Sequence, residues 1–237
     1  MYAIILAGGK GERLRPLTND RPKGMVEING RPILAYQIAW LRRHGITDVI
    51  ISCGYLADVI QEFFGDGSAF GLRVRYAVEK EPLGRGGGFR FAMGMIETKE
   101  PVVGTNGDVI TNLDLRAVLA QHRSSGAIAT DVLVPLRSPY GIVDVDDGDV
   151  VLGFREKPEL PYWLNAGIYV FDPAIRELLP ELGDHEDTTF PALAAQRRLW
   201  GFRSRTFWRS ADTIKDVIEL GHDLADHDLN SFFSEGM

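Results

Sequence analysis

The chain has 237 residues, 45% apolar and 25% charged, the balance of a globular protein sized for one domain or a main lobe with an elaboration. Its formal charge of −7 argues against a non-specific binder of nucleic acid or anionic membrane, which needs a basic surplus, yet leaves room for a small basic pocket around a phosphorylated ligand. A single cysteine, Cys53, excludes an intramolecular disulfide and a multi-cysteine zinc site, and its apolar setting in Val49-Ile50-Ile51-Ser52 predicts a buried structural thiol.

Met1 leads at once into a strand pattern, so no signal peptide is expected. The apolar runs fall far short of the ~20 residues that span a bilayer, and a cytoplasmic protein is expected. Tyr2–Ala7 is a continuous apolar run stopped by Gly8-Gly9, the pattern of a buried parallel strand. A helix is predicted over Pro32–Leu41, where Leu34, Ile38 and Leu41 share a face before His44-Gly45. Asp48–Cys53 reads as a second buried strand, Ala57–Phe64 as a helix and Leu72–Val78 as an alternating strand. Gly88–Ile96 reads as a helix after a run of glycines, Val102–Thr105 as a buried strand and Leu113–His122 as a fourth helix. This alternation implies an α/β fold: a Rossmann-like, doubly wound, mostly parallel sheet with helices on both faces.

After about residue 125 the texture changes. Thr130–Pro135, Tyr140–Asp144 and Val150–Phe154 read as short strands. Asp146-Asp147-Gly148-Asp149 reads as a hairpin turn, because it lacks the ligand spacing and distal Glu of a calcium loop. Ala166–Phe171 returns to a buried strand, Pro173–Leu199 is predicted mostly helical, and Thr213–Leu224 is the last helix. The expected organisation is one domain over residues 1–237, whose second half adds strands over the ligand crevice.

In open α/β sheets, ligands bind beyond the carboxyl ends of the strands, and two signals stand at such ends. Gly8, Gly9 and Gly11 let the backbone approach a ligand and aim N–H groups at an anion, with Lys10, Arg13 and Arg15 close by. The spacing is neither the dinucleotide fingerprint nor a P-loop. A tight surface turn with solvated basic residues is the alternative. The second signal is Thr105-Asn106-Gly107-Asp108, where a carboxylate suits Mg²⁺; a turn or helix-capping aspartate is the alternative.

Leu6–Arg13, Arg21-Pro22-Lys23, Pro82-Leu83-Gly84, Asn106-Gly107-Asp108, Glu156-Lys157-Pro158 and Asn165-Ala166-Gly167 follow the order and spacing of the sugar-1-phosphate nucleotidylyltransferases. From Met1 to about Asp216 the chain resembles that family, and it is similar to the short bacterial members without a hexapeptide-repeat domain. The resemblance implies a nucleotide-binding half over about 1–125 and a sugar-phosphate half over about 126–237, whose extra strands form the sugar side of the crevice. It implies transfer from an NTP to a sugar 1-phosphate, with Mg²⁺ as cofactor and no nucleic-acid or membrane partner. A homo-oligomer is left open. Arg13, Lys23 and Asp108 would be catalytic: Arg13 on the leaving pyrophosphate, Lys23 on the α-phosphate and Asp108 on the metal. Leu6, Ala7, Gly8, Gly9, Gly11, Arg13, Glu79, Pro82 and Gly84 would bind the nucleotide, and Asn106, Gly141, Glu156, Lys157 and Asn165 the sugar phosphate.

Three positions depart from the family pattern. Glu12 replaces the usual Thr or Ser, and Gly24 the usual proline, which is expected to loosen the loop presenting Lys23. Ser210 stands where relatives carry their second metal-binding Asp, so Asp212 is offered as the replacement ligand; capping of the last helix is its alternative role. Asp212-Thr213-Ile214-Lys215-Asp216 and Met25-Val26-Glu27-Ile28 resemble the glucose-1-phosphate cytidylyltransferases, which would use CTP. The middle of the chain resembles the mannose- and heptose-1-phosphate guanylyltransferases. Position 79 should face the base, and ionised Glu79 only accepts hydrogen bonds, which favours the paired donors of guanine and hence GTP. A phospho-alcohol substrate and a non-catalytic nucleotide-sugar sensor are the competing readings; retention of Arg13, Lys23 and Asp108 together speaks against the sensor.

Overall fold

The computed structural model describes residues 1–226. The chain runs β1 (Tyr2–Leu6), β2 (Glu27–Ile28), β3 (Arg31–Pro32), α1 (Ile33–Arg43), β4 (Asp48–Cys53), α2 (Ala57–Phe64), β5 (Arg73–Val78), α3 (Gly84–Met93), β6 (Val102–Asn106), β7 (Val109–Thr111) and α4 (Leu115–Ser125). The second half follows as β8 (Ala129–Arg137), β9 (Ile142–Val145), β10 (Val151–Arg155), β11 (Glu159–Phe171), α5 (Thr189–Ala195), β12 (Leu199–Arg203), β13 (Trp208–Ser210) and α6 (Ile214–Asp226).

Seven strands form one sheet in the order β12-β8-β11-β6-β1-β4-β5. Its pairings are parallel except those of β11, which runs against both β6 and β8. Side chains alternate across a strand, so β1 feeds two cores. Ala3 and Ile5 join the core packed by α1, α2, α4 and α6, while Ile4 meets Ile50 in the core packed by Phe89 of α3 and Phe190 of α5. Burial on both faces is why the run reads as continuously apolar. The mostly parallel, doubly wound reading therefore holds. Among the described residues, no helix is long and apolar enough to cross a membrane.

The chain departs from expectation in three places, two of them in the second half. β8, β11 and β12 extend the same sheet sideways, β9 and β10 form a separate antiparallel hairpin, and β13 pairs antiparallel with β7 outside the main sheet. The turn of the β9–β10 hairpin is the one expected: Asp146 Oδ1 accepts from Gly148 N and Val150 N, both at 2.9 Å. The stretch expected to be mostly helical holds only a short 3-10 turn at Pro173–Glu177 and α5, and Leu199 already begins β12. α3 starts at Gly84 rather than Gly88, because the Gly183 carbonyl accepts from Gly86 N and Gly87 N and satisfies orphan donors of its first turn.

Cys53 is fully buried on β4, and that burial pushes its thiol up to about 11, in keeping with a structural role. Asp131 on β8 is a less comfortable passenger. It is 8% exposed, its Oδ1 has no partner, and burial, with the Glu186 carboxylate adding to it, pushes its pKa up to about 8. A carboxyl raised in the folded state holds its proton there while the unfolded chain loses it, so stability falls as pH rises from about 4 to about 8. Asp131→Asn lacks this penalty. Its melting-temperature advantage over the parent is expected to widen across that window, at up to about 1.4 kcal/mol per pH unit, and then level off. A gap independent of pH in paired thermal melts would contradict this.

Candidate active site

β1 and β6 end side by side, with Leu6 opposite Asn106, and the turns beyond them open a cleft of about 550 Å³. Gly107 N donates to Leu6 O at 2.8 Å, and a Cβ at residue 107 would lie 2.6 Å from that oxygen, so this turn requires glycine. Gln37 of α1 donates Nε2 to Asn106 O (2.6 Å) and Val109 O (2.8 Å), fixing from below the turn that carries Asp108. Ala211 N donates to Asp108 O at 3.0 Å, which draws the segment between β13 and α6 into the same wall.

Lys23 stands where these turns converge. Its Nζ donates to Asp108 Oδ2 at 2.5 Å and to Asp212 Oδ1 at 2.9 Å. Arg13 Nη2 also reaches Asp212 Oδ1 at 2.7 Å, and Ser210 Oγ donates to Asp212 Oδ2 at 3.1 Å. Burial works against the Lys23 charge, but Asp108 and Asp212 outweigh it and hold its pKa above the ordinary value. Burial likewise works against ionised Asp212, and Lys23, Ser210 and Arg13 still hold it below the usual carboxylate range. The Lys23–Asp212 pairing therefore stabilises the fold between the two ordinary pKa values. It is lost on acidification through the depressed Asp212 value and on alkalinisation through the raised Lys23 value.

The alternative role of Asp212 as a helix cap is not what the geometry gives. Asp216 Oδ2 accepts from Asp212 N (3.1 Å) and Thr213 N (2.7 Å), while Thr213 Oγ1 pairs with Asp216. The cap of α6 is thus made by Thr213 and Asp216, leaving the Asp212 side chain for the cleft. Gly24 is not slack either: it is buried, and a Cβ there would lie 2.7 Å from Leu34 Cγ and 3.1 Å from Gly107 O. The glycine lets the Lys23 turn seat closely against the Asp108 turn.

On the opposite side, Glu79 follows β5. Its Oε1 accepts from Ser52 Oγ at 2.8 Å and its Oε2 from Leu83 N at 3.0 Å, which orients the carboxylate and leaves each oxygen a further lone pair. Gly8 lies beside this carboxylate, with its Cβ position 3.6 Å from Oε1. Along the β11 side, Asn165 Oδ1 accepts from Gly167 N at 2.7 Å, and Trp208 Nε1 donates to Ala166 O at 2.8 Å.

A family model described as nucleotidyl transferase matches residues 2–227. The chain belongs to the nucleotidyl transferase family. This family member is 38% identical over 230 residues to mannose-1-phosphate guanylyltransferase of Mycobacterium tuberculosis, covering 94% of the chain and 64% of that protein. It is 34% identical over 229 residues to mannose-1-phosphate guanyltransferase of Pichia angusta, covering 92% and 62%. The chain thus spans less than two thirds of the length of these curated relatives. Among solved structures, HddC from Yersinia pseudotuberculosis superposes with a TM-score of 0.74 at 26% identity, covering 94% of this chain and 99% of that one. A putative glucose-1-phosphate thymidylyltransferase from Bacillus anthracis shares the fold, with a TM-score of 0.76 at 24% identity and 95% coverage of each chain.

Of the residues singled out in the sequence, Leu6, Ala7, Gly8, Gly9, Arg13, Lys23, Glu79, Pro82, Gly84, Asn106, Asp108, Asn165 and Asp212 line the cleft of this nucleotidyl transferase. Gly11, Gly141, Glu156 and Lys157 do not. Gly11, at φ +63°, packs behind the loop with its Cβ position 3.0 Å from both Lys23 Cβ and Thr18 Cγ2. Gly141 sits against the β9–β10 hairpin, its Cβ position 2.5 Å from the Phe154 ring and 3.1 Å from Glu156 Oε2. Lys157 is exposed at φ +46° at the end of that hairpin, outside the cleft wall.

Two kinds of residue escaped the sequence reading. Gln37 and Ser52 act from beneath the wall, and nothing in their apolar surroundings marks them as supports. Arg85 and Trp208 line the cleft itself, and the signal for Arg85 was its place as the one charged residue within Gly84-Arg85-Gly86-Gly87-Gly88. Arg85 also settles what a nearby acidic group does. Asp184, His185 and Glu186 bring one potential ligand atom each within 4.8 Å of one another. Arg85 Nε and Nη2 already meet Asp184 Oδ2 at 2.6 and 2.5 Å, and its Nη1 meets Glu186 Oε1 at 2.8 Å, so a guanidinium holds the place of a cation. His185, fully buried among Phe89, Tyr169 and Phe190, is pushed down to about 4 by burial and stays neutral.

Proposed function

We propose that this cleft transfers a nucleotidyl group from an NTP, with GTP favoured, to a sugar 1-phosphate of the mannose or heptose type, releasing pyrophosphate. The observation that carries the reading is the convergence of Arg13, Lys23, Asp108 and Asp212 beside a glycine-rich loop at the ends of β1 and β6. The incoming phosphate monoester has a second pKa of about 6 and is largely dianionic at neutral pH, so no general base is required. One of its oxygens attacks the α-phosphorus, and the bond from that phosphorus to the pyrophosphate oxygen breaks in line. The task left to the protein is to bring two anions together and spread the growing charge. Lys23 serves the α-phosphate, Arg13 the departing pyrophosphate, and the backbone around Gly8 and Gly9 the nucleotide phosphates.

Asp108 and Asp212 also fit a hard divalent cation. Their carboxylates meet at a single positive group, the Lys23 ammonium, and oxygen donors of this kind suit Mg²⁺. When bound, the ion supplies charge neutralisation on phosphate oxygens.

Glu79 supports guanine as the base. Its oriented carboxylate can accept from N1–H and N2–H₂ together, whereas it opposes the carbonyls of uracil and thymine. The names of the Mycobacterium and Pichia relatives, and a structure of HddC complexed with GMP-PN at 25% identity, agree with this choice. Glu79→Gln is expected to erode the preference for GTP over the other nucleotides about tenfold or more, the worth of a charge-assisted bond; an unaltered preference would mean that backbone groups read the base. The reading as a whole is tested by pyrophosphate release with Mg²⁺, crossing GTP, CTP, UTP, dTTP and ATP with glucose-, mannose- and heptose-1-phosphate. Activity with GTP and mannose- or heptose-1-phosphate supports it, activity confined to CTP and glucose 1-phosphate replaces it, and a blank grid overturns it.

A further inference from the structure

We infer that Arg85 and Glu186 form a positioning pair that fixes which atoms of Asn165 face the ligand, an assignment that rests on the proposed reading of the cleft. Glu186 Oε1 gathers three donors: Arg85 Nη1 at 2.8 Å, Asn165 Nδ2 at 2.8 Å and Tyr169 OH at 3.0 Å. Tyr169 OH in turn accepts from Asn165 Nδ2 at 3.1 Å. Both Nδ2 hydrogens of Asn165 are therefore committed away from the cleft. Oδ1 already accepts from Gly167 N and keeps one lone pair. The amide presents the ligand with an acceptor only. A group recognised there must donate a hydrogen, as a sugar hydroxyl does.

Arg85 keeps Glu186 in this state. It issues from the first turn of α3, whose glycines bring the backbone against the Pro180–Glu186 loop. A Cβ at Gly84, Gly86 or Gly87 would lie 2.6 Å from Gly183 O, Pro180 Cγ or Glu181 O. The loop answers by capping the helix through Gly183 O, while its Asp184 and Glu186 bind the guanidinium. The strand–helix turn carrying Pro82 and Gly84 and the strand carrying Asn165 are thereby joined through one carboxylate. Removing its charge weakens all three bonds and frees the Asn165 amide to turn over, exchanging its acceptor for a donor.

Glu186→Gln keeps the shape and removes the charge. The expected result is a rise of about tenfold in KM for the sugar 1-phosphate, with kcat and the KM for NTP within about twofold. Arg85→Gln is expected to shift the same constant in the same direction by a smaller factor. In an Asn165→Ala background, Glu186→Gln should add nothing further. The ¹⁵N-resolved side-chain amide of Asn165, which needs no turnover, should show slow hydrogen exchange in the parent and lose that protection in Glu186→Gln. Equal shifts in every kinetic constant, an unchanged KM for the sugar phosphate, or an unprotected Asn165 amide in the parent would each overturn the pairing. A parent that transfers to no sugar 1-phosphate while keeping a protected Asn165 amide, lost in Glu186→Gln, would overturn the reading of the cleft and leave the pair standing.

Discussion

Replacing Lys23 by alanine is expected to lower turnover about 10²- to 10³-fold, the loss typical of removing one preorganised group that faces developing charge. The effect should fall on kcat more than on the KM for NTP, because the α-phosphate gains charge on the way to the transition state. Lys23 is also the positive centre of a part-buried triad, with its side chain 17% exposed against 24% for Asp108 and 32% for Asp212. Alanine leaves two carboxylates facing each other, with Arg13 and the Ser210 hydroxyl still on Asp212. The expected cost is about 1–3 kcal/mol, below that of a fully buried pair because water and Arg13 screen it. Added Mg²⁺ should recover part of this in thermal melts, since a cation can then sit between the two carboxylates. Near-normal rates in single-turnover assays would remove Lys23 from the chemistry, and a Mg²⁺-insensitive melting temperature would deny that the two acids form one cation site.

Asp212→Asn is expected to raise the Mg²⁺ concentration for half-maximal rate at least roughly tenfold. Its melting temperature should fall modestly near neutral pH, because the Lys23 and Arg13 pairings with Asp212 are lost while the cap of α6, made by Thr213 and Asp216, is kept. Ser210 offers a compensating position, since its hydroxyl reaches Asp212 Oδ2 at 3.1 Å and so points toward the same place. Ser210→Asp in the Asp212→Asn background is expected to restore much of the Mg²⁺ response. An unchanged Mg²⁺ titration in the single variant would leave Asp108 as the sole protein carboxylate on the metal.

The parts of this molecule that could be read from its sequence are those whose cause is local. β1 and β4 are apolar runs closed by glycine or a turn, and α2 carries its own amphipathic period, so their bounds follow from a handful of neighbouring residues. Lys23, Glu79 and Asp108 are legible for a related reason, since each lies in a short motif at a fixed distance from a strand or glycine turn. The start of α3 was hidden because glycines argue against helix, and the carbonyl that caps them comes from Gly183, about a hundred residues away. The length of β11 was hidden by Pro161 within Glu159–Trp163, and β12 by its mostly exposed edge position. Arg85 and Glu186 show the same limit within the site. They stand 101 residues apart, and no periodicity or spacing joins them until the sheet has formed.

The solitary thiol gives the molecule a built-in clock. Cys53 is sealed within β4, and its carbonyl accepts the backbone N–H of Glu79, the residue that we assign to the base, at 2.7 Å. A thiol-specific reagent therefore labels the protein only as fast as that edge of the sheet opens, and every labelling event has one address. Ligands that tighten the Glu79 turn become measurable through the time they add to that reaction, without a tag or an engineered probe.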